Sequence, residues 1–272
     1  MSVWDVYLER THARGTTKRG AVLKREIRTI EQHLPDNLSY QKVRIFNPEC
    51  GYNISSPEME QRAILQNAAV INSDNLNEKT ILTMPGEDIR HGALVEWMDN
   101  YWLVTERDAN TTVYTRAKML QCNHLLRWVS EEHKICEQWC IVEDGTKYLT
   151  GEYEDRNFIV TRGDSRIYLM IGRNAETVRL GRKNRFLIDD EDSPQPLAYL
   201  LTKPLKKGWS YNKDGVFKFV LQEVVVTKDD NVQLRIADYY KHFPDGILVD
   251  HDDGSLINPD NISEETGKRV WL

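Results

Sequence analysis

The side chains able to do acid–base, nucleophilic or metal chemistry are scattered along this chain. Its seven histidines, His12, His33, His91, His124, His133, His242 and His251, are too dispersed to suggest a shared metal. The four cysteines are Cys50, Cys122, Cys136 and Cys140, and the CEQWC pair has three residues between its thiols. Zinc ribbons and redox motifs use two. On a strand Cys136 and Cys140 share a face with Gln138, as small buried residues do, so all four read as reduced thiols. The acidic run DHDDG invites a calcium reading, but an EF-hand loop starting at Asp250 puts Gly254 at position five and Ser255 at six. That loop needs its glycine at six, so the run reads as a solvated turn. Asp189-Asp190-Glu191-Asp192 lies in a proline-containing connection with nothing apolar to raise one carboxyl against another.

Longer catalytic patterns are missing too. GxSxG, HExxH and the kinase HRD and DFG motifs do not occur. Gly15 and Gly20 have phosphate-loop spacing, but Ala21-Val22 stand where Lys-Ser/Thr must reach the phosphates. The expectation is a protein that is not an enzyme, with no catalytic, metal or cofactor-binding residues and no cofactor.

Function must then come from surfaces. The 272 residues suffice for one large β domain or two ordinary ones. With 40% hydrophobic and 29% charged residues and a mean hydropathy of -0.58, the chain reads as soluble with a real core. No apolar run nears the roughly 20 residues of a membrane span, and MSVWDVYLERTHARG lacks the apolar centre of a secretory signal. Assembly in the cytoplasm is the expectation. A net charge of -6 argues against a dedicated nucleic-acid binder. The charge is uneven, however: Arg10, Arg14, Lys18, Arg19, Lys24, Arg25 and Arg28 face only Glu26 in their stretch, whereas the chain past Asp245 is mostly acidic. Such polarity suits two different partners, or end-to-end contact between copies.

The elements that would carry these surfaces follow from periodicity. Leu23, Ile27, Ile30 and Leu34 make one helical stripe ended by Pro35. Residues 1–40 are therefore a basic arm with a helix. From Leu82 the period becomes two. Ala93, Val95 and Trp97 take one face and Leu94, Glu96 and Met98 the other, with Asp99-Asn100 as the hairpin turn. ETVRLGRKNRFLID, PLAYLLTKPL and GVFKFVLQEVVV continue as strands between turn residues, and GILVDHDDGSLI reads as a hairpin turned at Asp253-Gly254. The fold class is mainly β: one or two small antiparallel barrel or sandwich modules with an N-terminal helical arm and an extended C-terminal tail. The divisions are 1–40, a first β-barrel module 41–128, a second β module 129–243, and an acidic hairpin and tail 244–272. Trp97, Tyr101 and Trp102 read as hairpin core or as a ring interface.

PGEDIRHGALVEWMDNYWLV resembles the hairpin of tailed-bacteriophage head-closure proteins, the head-to-tail connector "stoppers". NAETVRLGRKNRFLID, PQPLAYLLTKPLKKG and GVFKFVLQE are similar to the second half of longer phage structural proteins. The resemblance covers about 80–226 and is one of strand pattern. It implies a structural virion protein in the phage neck, assembled in the host cytoplasm as a six- or twelve-fold homo-oligomeric ring. Portal or adaptor protein would lie on the head side and tail-terminator or tail-tube protein on the tail side, with packaged double-stranded DNA in the lumen and no membrane. Arg14, Lys18, Arg19, Lys24 and Arg25 are the expected arm contacts. Rival readings are an OB-like nucleic-acid-binding barrel, another neck or tail component (adaptor, tail terminator), and an enzyme with an unrecognised site.

Overall fold

The computed structural model describes residues 2–4, 6, 7, 17–73, 75–108, 113–145, 166–190, 193–211, 214–244, 248, 249, 256 and 257. Helix α1 (Lys18–His33) begins at Thr17, whose extended backbone and hydroxyl, accepting from the Gly20 N–H at 3.1 Å, satisfy an orphan donor. It ends where Leu34 donates to Ile30, just before Pro35. The expected stripe Leu23, Ile27, Ile30 and Leu34 is half-buried, and no residue of α1 is fully buried.

The first barrel is closed and antiparallel. Its strands are β1 (Tyr40–Phe46), β2 (Ile64–Asn72), β3 (Glu78–Thr83), β4 (Leu94–Trp97), β5 (Asn100–Arg107) and β6 (Arg116–Gln121), in the order β1-β2-β3-β6-β5-β4. MEQRAILQNAAVI, ambiguous between helix and strand by pattern, divides. Its start ends helix α2 (Pro57–Gln61), capped by Ser56, and the rest is β2. Val43, Ile45, Val70, Ile81, Val104 and Met119 are among the interior residues, one from each alternation of their strands.

Six more strands form the second module: β7 (His124–Val129), β8 (Ile135–Asp144), β9 (Arg166–Gly172), β10 (Arg185–Ile188), β11 (Leu197–Tyr211) and β12 (Asp214–Val224). Their order is β10-β11-β12-β9-β8-β7, and the two edge strands approach each other without pairing, so the sheet curls into a barrel-like form. The core holds Leu126, Trp128, Leu169, Phe186, Phe217 and Phe219. β7 pairs with β8, so the division read at 128 falls inside a strand of the second sheet. ETVRL, read as strand, is instead a short helix α3 (Ala175–Arg179). Asn174 and Thr177 exchange side-chain-to-backbone bonds there in a capping box, which outweighs the alternation.

From the end of β12 to residue 244 the chain packs back on the second module although its apolar pattern fades. A single turn of helix, α4 (Tyr239–His242), follows, and Ile236, Tyr239 and Phe243 are buried against Val129. Arg185 ties this segment down, reaching Asp230 at 2.9 Å and Asp238 at 3.0 Å. The Asp230 side chain has no exposure, so losing Arg185 would strand a buried carboxylate. β13 (Leu248–Val249) and β14 (Leu256–Ile257) pair antiparallel as the expected hairpin, while its Asp253-Gly254 turn and the tail lie outside the described residues.

Candidate functional site

The hairpin β4–β5 is buried on both faces. Its turn lies one residue earlier than read: Met98 and Asp99 take the loop with φ of 50° and 57°, and Asn100 pairs with Trp97. The Asn100 side-chain amide donates to the Met98 carbonyl at 2.7 Å, closing the loop. Register decides the shift, because this pairing sets Val95 opposite Trp102 inside the barrel, and a one-residue slip would turn one of them out.

The inner face carries Ala93, Val95, Trp102 and Val104 into the first core. Trp97 closes its rim, 5.7 Å from Trp102 and bonded through Nε1 to Gln41 at 2.7 Å. Leu94 and Leu103, on the outer face, pack with Phe46 and Cys122 against Ile141 and Val216 of the second module. Tyr101 stacks on Trp139 there, with centroids 4.9 Å apart and rings 20° from parallel. Trp102 is thus core, Trp97 its lid and Tyr101 a junction residue.

The residues just before the hairpin fasten the two barrels. Arg90 forks onto Asp214 at the start of β12 and reaches both Glu49 oxygens at 2.7 Å. Bonding to Asp214 holds its guanidinium even more firmly protonated than usual. The His91 carbonyl accepts from the Gly215 N–H at 3.1 Å, and its buried ring lies 2.7 Å from the Thr105 carbonyl. Desolvation lowers the His91 pKa. Gly92 has a φ of 83°, and a Cβ on it would overlap the Gly215 carbonyl. Behind this contact a buried chain runs from Asn174 to Gln138 at 2.6 Å and from Gln138 to the Gly172 carbonyl at 3.1 Å.

The buried cysteine thiols are not poised for bond-making. The cysteines are free and buried. Burial pushes the Cys136 thiol up to about 12 and raises Cys122 and Cys140 further from the thiolate form that attacks or binds metal. Among the described residues no three His, Cys, Asp or Glu side chains gather to hold a metal ion. No described helix is long and apolar enough to cross a membrane.

The arm residues are only partly brought together. Lys18 and Arg19 join Val22, Leu23, Glu26 and Val113 around an open groove of about 420 Å³ between α1 and the β5–β6 connection. Lys24 and Arg25 are exposed farther along α1, and Arg14 lies outside the described residues. A larger open cleft of about 660 Å³ crosses β2, β3 and β6, but its Lys118 is paired with Glu78 and Glu106. Arg90 and Gly92 escaped the sequence reading because Asp214 and Gly215, which they meet, lie more than a hundred residues away. The one local signal was a glycine two residues before the start of β4.

The match that bears on origin spans the helix end and the first barrel. Residues 28–121 match the family model for the YomX N-terminal domain. That family is phage-derived, of Bacillus prophage type, and the match suggests a phage protein. It stops at the end of β6, so the YomX-like region and the first barrel share a boundary. No curated protein matches the chain. A solved structure titled "MrkH, A novel c-di-GMP dependence transcription regulatory factor" is similar at 11% identity, over 78% of this chain and 87% of that one. Its TM-score is 0.22.

Proposed function

We propose that this chain is a non-enzymatic structural protein of the phage neck. It forms a homo-oligomeric ring between portal or adaptor and tail, and helps retain packaged DNA. The phage-type match over 28–121 is the observation that carries this reading. Two further features support it: the barrels are braced through Gly92 and Arg90, and a basic helix stands out with its apolar stripe incompletely covered. A ring subunit needs a rigid body and unlike patches that meet on successive copies. Lys18, Arg19, Lys24 and Arg25 supply one such patch, and the acidic sequence past Asp245 a complementary one.

Negative-stain images of the purified protein or of virion necks test the ring. Charge reversal at Lys18, Arg19, Lys24 and Arg25 should leave heads that fill with DNA but leak or fail to join tails. Normal infectious particles from that variant would remove the arm role.

A further inference from the structure

Among the described residues, the outer face of the second sheet is covered at both ends and only partly covered between them, where Lys218 and Tyr168 are half-buried. Cross-strand register fixes which side chains share it. Lys218 lies opposite Leu205 and Met170, Val220 opposite Lys203 and Tyr168, and Gln222 opposite Leu200 and Arg166. On one side of these rows Val216 is buried in the junction with the first barrel. On the other, Val224 and Ala198 are covered by Ala237 of the segment past β12. The three middle rows remain as a belt. Lys203, Leu205, Arg166 and Gln222 are exposed on it, and Lys207 is exposed in the adjoining irregular stretch of β11.

The belt combines cations with a ring. Lys218 Nζ sits 5.2 Å from the Tyr168 ring centroid, and 3.9 Å from Glu143, the acid paired across from Tyr168. Between residues 166 and 218 eleven Lys or Arg stand against six Asp or Glu, and four of the six lie together at 189–192. The stretch that bears the belt is therefore locally basic, although residues 124–224 as a whole balance sixteen Lys or Arg against sixteen Asp or Glu. Basic residues interleaved with an aromatic on a strand surface are what single-stranded nucleic acid recognises: cations neutralise phosphates and the ring offers a stacking platform. The outside of a barrel curves away from a duplex, whereas a flexible strand can follow it.

We infer that the belt formed by Lys203, Lys207, Lys218 and Tyr168 binds single-stranded nucleic acid. The site is separate from the α1 arm and does not depend on the ring reading. Fluorescence anisotropy of labelled oligothymidylate with the full chain tests it, and the expected affinity falls as salt rises from about 50 to 200 mM. The triple variant Lys203→Glu, Lys207→Glu, Lys218→Glu should bind at least tenfold more weakly. At roughly 0.7 per lost phosphate contact, it should also flatten the log–log salt slope by about 2. Tyr168→Leu should cost about tenfold for the oligonucleotide and leave competition by polyglutamate unchanged.

Charge reversal at Lys18, Arg19, Lys24 and Arg25 should leave the affinity within twofold. Melting curves establish folding, and the Lys→Gln triple variant replaces the reversal if that one unfolds. The inference fails if the wild type does not bind at low salt, if the helix variant rather than the belt variants loses binding, or if duplex binds as well as the single strand. Displacement by polyglutamate as effective as by unlabelled oligonucleotide would assign the belt to acidic protein and overturn it equally.

Discussion

Gly92 and Gly215 meet backbone to backbone, one just before the first barrel's central hairpin and the other at the start of β12. Gly215 donates to the carbonyl of His91, and its own carbonyl accepts from the Arg173 N–H at 2.9 Å. No side chain separates the two barrels at this point. The approach of the two modules therefore depends on Gly92, whose Cβ would overlap the Gly215 carbonyl, and on Gly172, whose Cβ would lie 2.5 Å from the Gly92 carbonyl oxygen.

Gly92→Ala should accordingly be among the most damaging single-methyl changes in the chain. It meets two penalties, a φ of 83° and overlap with the Gly215 carbonyl. Gly86 separates them, since its φ is 89° and a Cβ there meets nothing within 4 Å. Gly86→Ala should cost about 1 kcal/mol from backbone conformation alone. Gly92→Ala should cost at least about 3 kcal/mol in urea denaturation, because backbone must shift as well. Equal losses at the two sites would show that the barrels are not held at this contact.

Arg90 braces the same junction electrostatically. Its side chain is 33% exposed and that of Asp214 26%, so solvent screens the pair in part. A double-mutant cycle between Arg90→Ala and Asp214→Asn should give a coupling of about 1 kcal/mol. Glu49 is 58% exposed, and Glu49→Gln should cost under about 0.5 kcal/mol. Arg90→Lys should behave more like Ala than like wild type, because an ammonium cannot fork onto Asp214 while reaching Glu49.

How much of this could be read from sequence follows from the distance between partners. The period of two around Ala93-Leu94-Val95 gave the hairpin's two faces correctly, because alternation is a local property. The turn was displaced by one residue, since Asp99-Asn100 and Met98-Asp99 differ only in the register that buries Trp102. Past Val226 the alternation weakens because a polar hub, Arg185 with Asp230 and Asp238, holds much of the segment, and such a hub leaves no periodicity. Lys203, Lys218 and Tyr168 lie on three different strands, and only register shows that they share a face.

His124 makes the fold sensitive to acid. Burial, aided by Arg235 and Arg127, lowers its pKa from 6.5 to about 4, and its Nε2 is buried without a hydrogen-bond partner. Between these values the unfolded chain takes up a proton that the folded chain refuses. Stability is therefore full above pH 6.5 and declines as pH falls toward 4, by up to about 3 kcal/mol from this residue. Buried His91 acts in the same direction. Urea midpoints at pH 7 and pH 4.5 should differ less in His124→Leu than in wild type, and an unchanged difference would refute the assignment.

Helix α1 poses the opposite case, an element whose loss the fold should tolerate. No residue between Lys18 and His33 is fully buried, and Val22 is 59% exposed. A helix that buries so little adds little to stability, and local opening should be frequent. Deleting residues 1–33 should shift the unfolding free energy by under about 1 kcal/mol, and α1 amides should exchange far faster than those of β5. If α1 exists for partners, the same deletion should abolish head-to-tail joining while the truncated chain still melts cooperatively. Loss of the cooperative melt would instead make α1 part of the core, and the arm would cease to be a free docking element.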